Sequence, residues 1–382
     1  MKIAIIIDFW EPVTGGSQTH VAELALGLIR EHDCEVDIFT RALKYNSSIY
    51  KENEEFHHGR LRIFRTGPAT SPFSTWGRIS TIWTIARRVA IEDSKRNYDL
   101  IHAHSILGGA IGKLASLFTK KPLLFTVHGS PNMDRGIKNF HYHIEKLIHR
   151  HIPYDKVISV GEHFKKYSNI NKNIEVIQNG VHVEDFHRLE ILKNKDNFKI
   201  LFVGRMDWTK GIETLIDAVK ILSNNYGALL NEKKVSFHLI GYGCDIEKLS
   251  HIVNDDGLGH LIKFRGKISG DELIKEYKSS HLFILPSITE GDSIVIKEAW
   301  AAGLPVISTI CNAPEYYVRE GIDGFLIEKQ DPQKMAEAIV YALNLPEEDL
   351  DKMGQKGYEN VVENFRWEVV TDKVFKIYKT LS

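Results

Sequence analysis

Short apolar runs alternate with helix-period segments along nearly the whole chain, and this alternation limits the fold more than any other feature. The runs fall at residues 3–7, 36–40, 61–64, 100–103, 123–127, 157–160 and 175–177. After Gly180 the pattern restarts at 199–203, 235–240, 262–264, 281–285, 305–308 and 325–327. Strands that read as apolar runs separated by helices predict parallel sheets covered on both faces. Two series predict an α/β protein of two doubly wound domains, joined near residues 181–198, a polar stretch ending in L-K-N-K-D-N-F. Ligands of such sheets bind at the carboxyl ends of the strands, so the expected site is the crevice between the domains.

The chain has 382 residues, 43% hydrophobic and 26% charged, which gives ample core for two domains and excludes a disordered or fibrous protein. No apolar stretch reaches the roughly 20 residues that span a bilayer. The start M-K-I-A-I-I-I-D reads as a buried strand without a cleavage site, so a cytoplasmic location is expected. Cys34, Cys244 and Cys311 offer neither a disulfide framework nor metal-ligand spacing. Net charge is −1 and no recognition motif is present, which argues against nucleic acid. Charge is unevenly divided, however. Residues 1–183 hold 24 Lys and Arg against 18 Asp and Glu, a balance of +6, and 13 of the 18 histidines. Basic residues gather over 79–96 and in a predicted helix over 138–151.

Two motifs carry chemistry. In E-G-D-S-I-V-I-K-E, Glu290 falls in a loop after the strand 281–285, and Glu298 falls about one and a half turns into the following helix. The two carboxylates are expected to face one ligand, with the N–H groups of Ser293, Ile294 and Val295 unpaired at the helix start and able to hold an anion. A phosphorylated, hydroxyl-rich ligand such as a nucleotide sugar fits. Upstream, the strand 199–203 runs into G-R-M-D-W-T-K-G and a helix. Arg205 supplies a planar fork and Lys210 a point charge for phosphate, while solvation of a surface is the alternative reading of the pair.

Together these motifs resemble the retaining glycosyltransferases of the GT-B fold, the large glycosyl transferases group 1 family of family 4 type, marked by G-R-x4-K-G followed by E-x7-E. The amino-terminal half agrees in order: T-G-G-S at 14–17, D-L-I-H-A-H at 99–104, T-V-H-G at 126–129 and Q-N-G-V at 178–181. The resemblance implies an acceptor-binding Rossmann-like domain over 1–183, a nucleotide-sugar donor domain over 184–366, and a helix over 367–382 crossing back to the first domain. It implies transfer of a hexose-type sugar from a nucleotide diphosphate, UDP ahead of GDP, to a glycan, lipid-linked or small acceptor, with no metal or other cofactor. A GT-B nucleotide-sugar epimerase and a sugar-nucleotide-binding protein without transferase activity remain as alternatives.

By the same resemblance, Arg205 and Lys210 hold the diphosphate, Glu290 contacts the donor sugar, and Glu298 accepts ribose hydroxyls. Gly16 lets backbone approach the phosphate, His128 stands beside the reacting region, and Gly241, Lys267 and Ile268 surround the base. The basic first domain makes an anionic acceptor or an anionic membrane surface a candidate partner. His102 and His104 share a strand face with no third ligand evident, so they read as structural or acceptor-side rather than as a metal pair. Asp349-Leu350-Asp351 mimics a metal-binding D-x-D but opens a polar helix. The chain departs from the family at Asp292-Ser293, where an aromatic residue is usual. The expectation is either a carboxylate added to the sugar-contacting loop or a pair of helix caps.

Overall fold

The computed structural model describes residues 1–12, 15–72, 74–129, 143, 146–147, 151–167, 174–191 and 193–382. Thr14 and most of the helix expected over 138–151 lie outside the described residues. The chain forms two compact units, residues 1–179 with 367–382, and residues 180–366.

The first unit is built on β1 (Lys2–Ile6), β2 (Glu35–Tyr45), β3 (Ser48–Tyr50), β4 (Glu54–Phe56), β5 (Leu61–Thr70), β6 (Leu100–His104), β7 (Leu123–Val127), β8 (Lys156–Ser159) and β9 (Ile174–Val176). They lie in the order β4-β5-β2-β1-β6-β7-β8-β9, with β3 beside β2. The sheet is parallel except at one edge, where β3 and β4 run antiparallel to β2 and β5. This corrects the all-parallel expectation. S-I-Y and E-E-F are mostly exposed and too short to leave an apolar run, so their pairing left no signal in the sequence.

Helices α1 (Gly16–His32), α2 (Thr75–Arg96) and α3 (Ser105–Thr119) cover this sheet. The closing helix Trp367–Leu381 belongs to the same unit and buries Val370, Val374 and Ile377. Its Phe375 stacks on His32 of α1, with ring centroids 3.8 Å apart.

The second unit carries β10 (Phe198–Val203), β11 (Val235–Ile240), β12 (Ile262–Gly266), β13 (Leu282–Leu285), β14 (Val306–Thr309) and β15 (Gly324–Ile327) in one parallel sheet ordered β12-β11-β10-β13-β14-β15. Its central strands β10, β13 and β14 are buried on both faces almost throughout, as the runs K-I-L-F-V and L-F-I-L require, and the sheet packs on Trp300, Tyr277 and the helix Ile212–Glu232. The order reverses between β10 and β13. At such a switch point the connections leave to opposite faces and open a crevice at the carboxyl edge.

Candidate active site

Both motifs reach the carboxyl edge of the second sheet at that switch point, because G-R-x4-K-G follows β10 and the E-x7-E loop follows β13. Three contacts tie them. The Ile288 N–H donates to the Thr209 carbonyl at 2.8 Å. The Lys210 Nζ lies 2.5 Å from Glu290 Oε1, which also accepts from the Ser287 hydroxyl at 2.5 Å. Gly211 has φ +62°, and a Cβ there would lie 2.0 Å from the Pro286 carbonyl oxygen, so only glycine lets the turn seat against the next strand's end. Asp207 caps the turn by accepting from the Thr209 N–H at 3.0 Å and lies 3.3 Å from the exposed guanidinium of Arg205. The result is an exposed Arg205 beside a largely buried Lys210–Glu290 pair.

The neighbouring strand ends complete this edge. Gly241, at the end of β11, has φ +146°, and a Cβ there would meet the Gly204 carbonyl oxygen at 1.8 Å. Its N–H donates to Gly266 at 2.8 Å, which brings the 241–243 loop to the 264–268 segment. There the Lys267 ammonium lies 5.3 Å from the centroid of the Tyr242 ring, and Ile268 packs against the core.

Glu298 lies on the helix Ile294–Ala301 and accepts from the Tyr277 hydroxyl at 2.7 Å through Oε2. Burial holds its carboxyl above the usual range, against the opposing pull of that hydrogen bond. The Ser293 N–H is not unpaired, contrary to expectation: it donates to the buried Tyr317 hydroxyl at 3.2 Å. Ile294 and Val295 open the helix, where amides lack an intrahelical carbonyl.

Asp292 corrects a second expectation. Its side chain is 2% exposed and meets the Lys297 Nζ through both oxygens, at 2.6 and 2.9 Å, so the carboxylate braces the loop from within. Nor does Ser293 cap the helix through its hydroxyl, although it occupies the capping position. Lys297 is itself fully buried over the rings of Tyr317 and Phe365, 5.6 and 4.8 Å from their centroids. Sequence reasoning missed this lysine. A lysine in the otherwise apolar first turn of the helix I-V-I-K-E-A-W, five residues after an aspartate, was the available signal.

In the first unit the sheet order reverses between β1 and β6, and the expected residues again gather at the carboxyl edge. Gly16 is the first residue of α1, and a Cβ built on it meets nothing within 4 Å among the described residues. His128 follows β7. His102 and His104 part company in the fold. His102 is saturated by Tyr378 and Thr126, each at 2.7 Å. His104 instead bonds His128 through Nδ1 and Nε2 at 2.9 Å, and His20 of α1 lies edge-on to His128 with centroids 4.7 Å apart. His20 was not foreseen, because a histidine on an amphipathic helix carries no mark of its partners. The Nδ1 of His20 lies 2.6 Å from Asn179 Oδ1, which fixes the ring. His20, His104 and His128 each bring a nitrogen within 4.8 Å of the others and are the residues here that could hold a metal ion.

Burial, reinforced by neighbouring imidazoles, drives the pKa values of His102, His104 and His128 well below the ordinary histidine range. The folded protein therefore keeps these rings deprotonated to lower pH than the unfolded chain, which binds protons on them below about pH 6.5. Stability is therefore full above about pH 6.5 and falls below it, by up to about 1.4 kcal/mol per pH unit for each ring. Calorimetry from pH 8 to pH 5 should show this fall, reduced in His104→Phe relative to its own value at pH 8.

Known proteins place this geometry. Residues 183–360 match the family Glycosyl transferases group 1, and residues 14–185 match Glycosyltransferase Family 4. An uncharacterized glycosyltransferase, MJ1178 of Methanocaldococcus jannaschii, is 30% identical over 392 residues, covering 100% of this chain and 99% of its own. Among solved structures, sucrose-phosphate synthase from Thermosynechococcus elongatus superposes with a TM-score of 0.79 at 24% identity, covering 100% of this chain and 98% of its own. Anabaena HepE in complex with UDP and glucose superposes with a TM-score of 0.74 at 18% identity, covering 100% of both chains. With two doubly wound sheets and both motifs in place, the chain belongs to the GT-B glycosyl transferases group 1 family, family 4 type, and is a glycosyltransferase.

Proposed function

We propose that the protein is a retaining enzyme that moves a hexose-type sugar from a nucleotide diphosphate, UDP ahead of GDP, to a hydroxyl of a glycan, lipid-linked or small acceptor. The observation that supports this best is the Lys210–Glu290 contact at the switch point of the second sheet. An ammonium for the diphosphate and a carboxylate for sugar hydroxyls stand side by side, as cleavage of a sugar–phosphate bond needs. Arg205 adds a second cation whose exposed guanidinium can swing onto phosphate oxygens. Tyr277 occupies one oxygen of Glu298 and leaves Oε1 for ribose hydroxyls. To Gly16, at the start of α1, and His128, after β7, we assign the roles that the family resemblance implies for them.

The preference for UDP is supported by HepE, which is described with UDP and glucose. An anionic or lipid-linked acceptor is favoured by the +6 balance of residues 1–183. The reading requires no metal. Asp349 and Asp351, the sequence's only D-x-D candidate, lie on the helix Glu347–Asn364 and pair with Lys352 and Lys193.

Thermal unfolding with UDP, GDP and ADP, with and without EDTA, tests this reading. A nucleotide at about 100 times its Kd adds about 2.7 kcal/mol. UDP is expected to raise the Tm by several degrees whether or not EDTA is present. No shift with any nucleotide would overturn the donor site, and a shift abolished by EDTA would move attention to His20, His104 and His128.

A further inference from the structure

Helix α2 is apolar on the side where a surface helix should be polar. Its inner face buries Thr81, Ile85, Ala86 and Val89. Its outer stripe reads Trp76, Ile79, Trp83, Arg87 and Ile91, with Trp76 74% exposed and both Ile79 and Trp83 57% exposed. The stripe continues onto α3. Trp83 meets Phe118 edge-on, with ring centroids 5.2 Å apart, and Leu117 beside it is 66% exposed. Large apolar side chains scattered singly on a surface need no explanation, but six on one connected face do.

Charge narrows the choice of occupant. Arg87 stands within the stripe, and Lys120 is exposed directly after α3. The acidic residues of α2 are neutralised: Glu92 is buried between Arg88 and Lys95, and Asp93 accepts from the Tyr98 N–H and faces Lys121. What remains outward is tryptophan and aliphatic surface rimmed by cations. A second copy docked two-fold on this face would set Arg87 and its lysine rim against themselves. A bilayer carrying acidic headgroups matches both components, since indole rings settle at the headgroup boundary and cations at the phosphates.

We propose that the outer face of α2, with Leu117 and Phe118 of α3, docks this protein onto an anionic phospholipid surface. The inference is independent of the donor site, because it concerns residues that touch none of Arg205, Lys210, Glu290 or Glu298. It gives the first unit a means of meeting an acceptor held at a membrane. No helix among the described residues is long and apolar enough to cross one, so the attachment is interfacial.

Flotation of the full chain with phosphatidylcholine vesicles, with and without 30% phosphatidylglycerol, tests the proposal. Binding to the anionic vesicles should exceed binding to neutral ones by about tenfold or more, since each cation near the surface contributes about 1 kcal/mol. It should weaken in high salt. Trp76→Ser with Trp83→Ser should lose at least tenfold of this binding, and Arg87→Glu should lower it on anionic vesicles alone. These side chains are exposed, so an unchanged Tm and an unchanged UDP-induced shift should show that fold and donor site are intact. No flotation with anionic vesicles, or flotation indifferent to the double Trp substitution, would overturn the proposal. So would a concentration-dependent dimer in sedimentation velocity that the same double substitution dissolves.

Discussion

Lys210→Ala is expected to lower kcat/KM by about 10²–10³-fold, the scale seen when one preorganised partner of developing charge is removed. Its side chain is only 15% exposed and its ammonium is already fixed by Glu290, so little reorganisation is needed as negative charge builds on a departing diphosphate. Loss of the UDP-induced thermal shift should accompany the loss of rate. Glu290→Gln separates the two members of the pair. The amide keeps the size and one acceptor of the carboxylate, so UDP should still bind while turnover of the sugar nucleotide falls. If Lys210→Ala kept full UDP affinity and Glu290→Gln lost it, the assignment of phosphate to the lysine and sugar to the glutamate would be wrong. Denaturation of both variants is the necessary companion measurement, because Glu290 is buried and, among the described residues, keeps the Ser287 hydroxyl as its partner once the lysine is gone.

The second large effect is on stability. Asp292→Ala should cost about 3–5 kcal/mol, because it leaves the fully buried ammonium of Lys297 without its carboxylate. The double variant Asp292→Ala with Lys297→Met should recover most of that loss. An uncharged, similar-sized side chain can lie over Tyr317 and Phe365 without the desolvation that an unpaired charge suffers. Urea denaturation at equal m-value reads both numbers. A double variant no more stable than Asp292→Ala would show that packing, not charge, is at stake. The pair also ties the E-x7-E loop to its helix, Asp292 two residues after Glu290 and Lys297 directly before Glu298. The double variant should therefore raise the KM for the sugar nucleotide even where the fold is restored, because the loop is no longer pinned from beneath.

Much of this architecture was legible before any coordinates. Every apolar run singled out in the sequence lies within or overlaps a strand of one of the two sheets, since a parallel strand buried on both faces must be apolar throughout. The meeting of G-R-x4-K-G with E-x7-E was legible too, because residues that follow strands in such a sheet collect at one edge. The antiparallel edge strands β3 and β4 were not, being short and exposed.

Partners were not legible at all. The sequence shows an aspartate, a lysine and four histidines, but which of them bond each other depends on distances across the fold: Asp292 with Lys297, His102 with Tyr378 some 276 positions away, His20 with Asn179 some 159 positions away. The sequence by itself determined the parallel strands, the burial of the central ones and the edge where chemistry collects, because those follow from local periodicity and strand direction. Only the tertiary structure decided that Asp292 turns inward, that Ser293 gives its amide to Tyr317, that His104 joins His20 and His128, and that the tryptophans of α2 stay outside. Each of these is a long-range choice between burial and a partner, made by packing that no local pattern encodes.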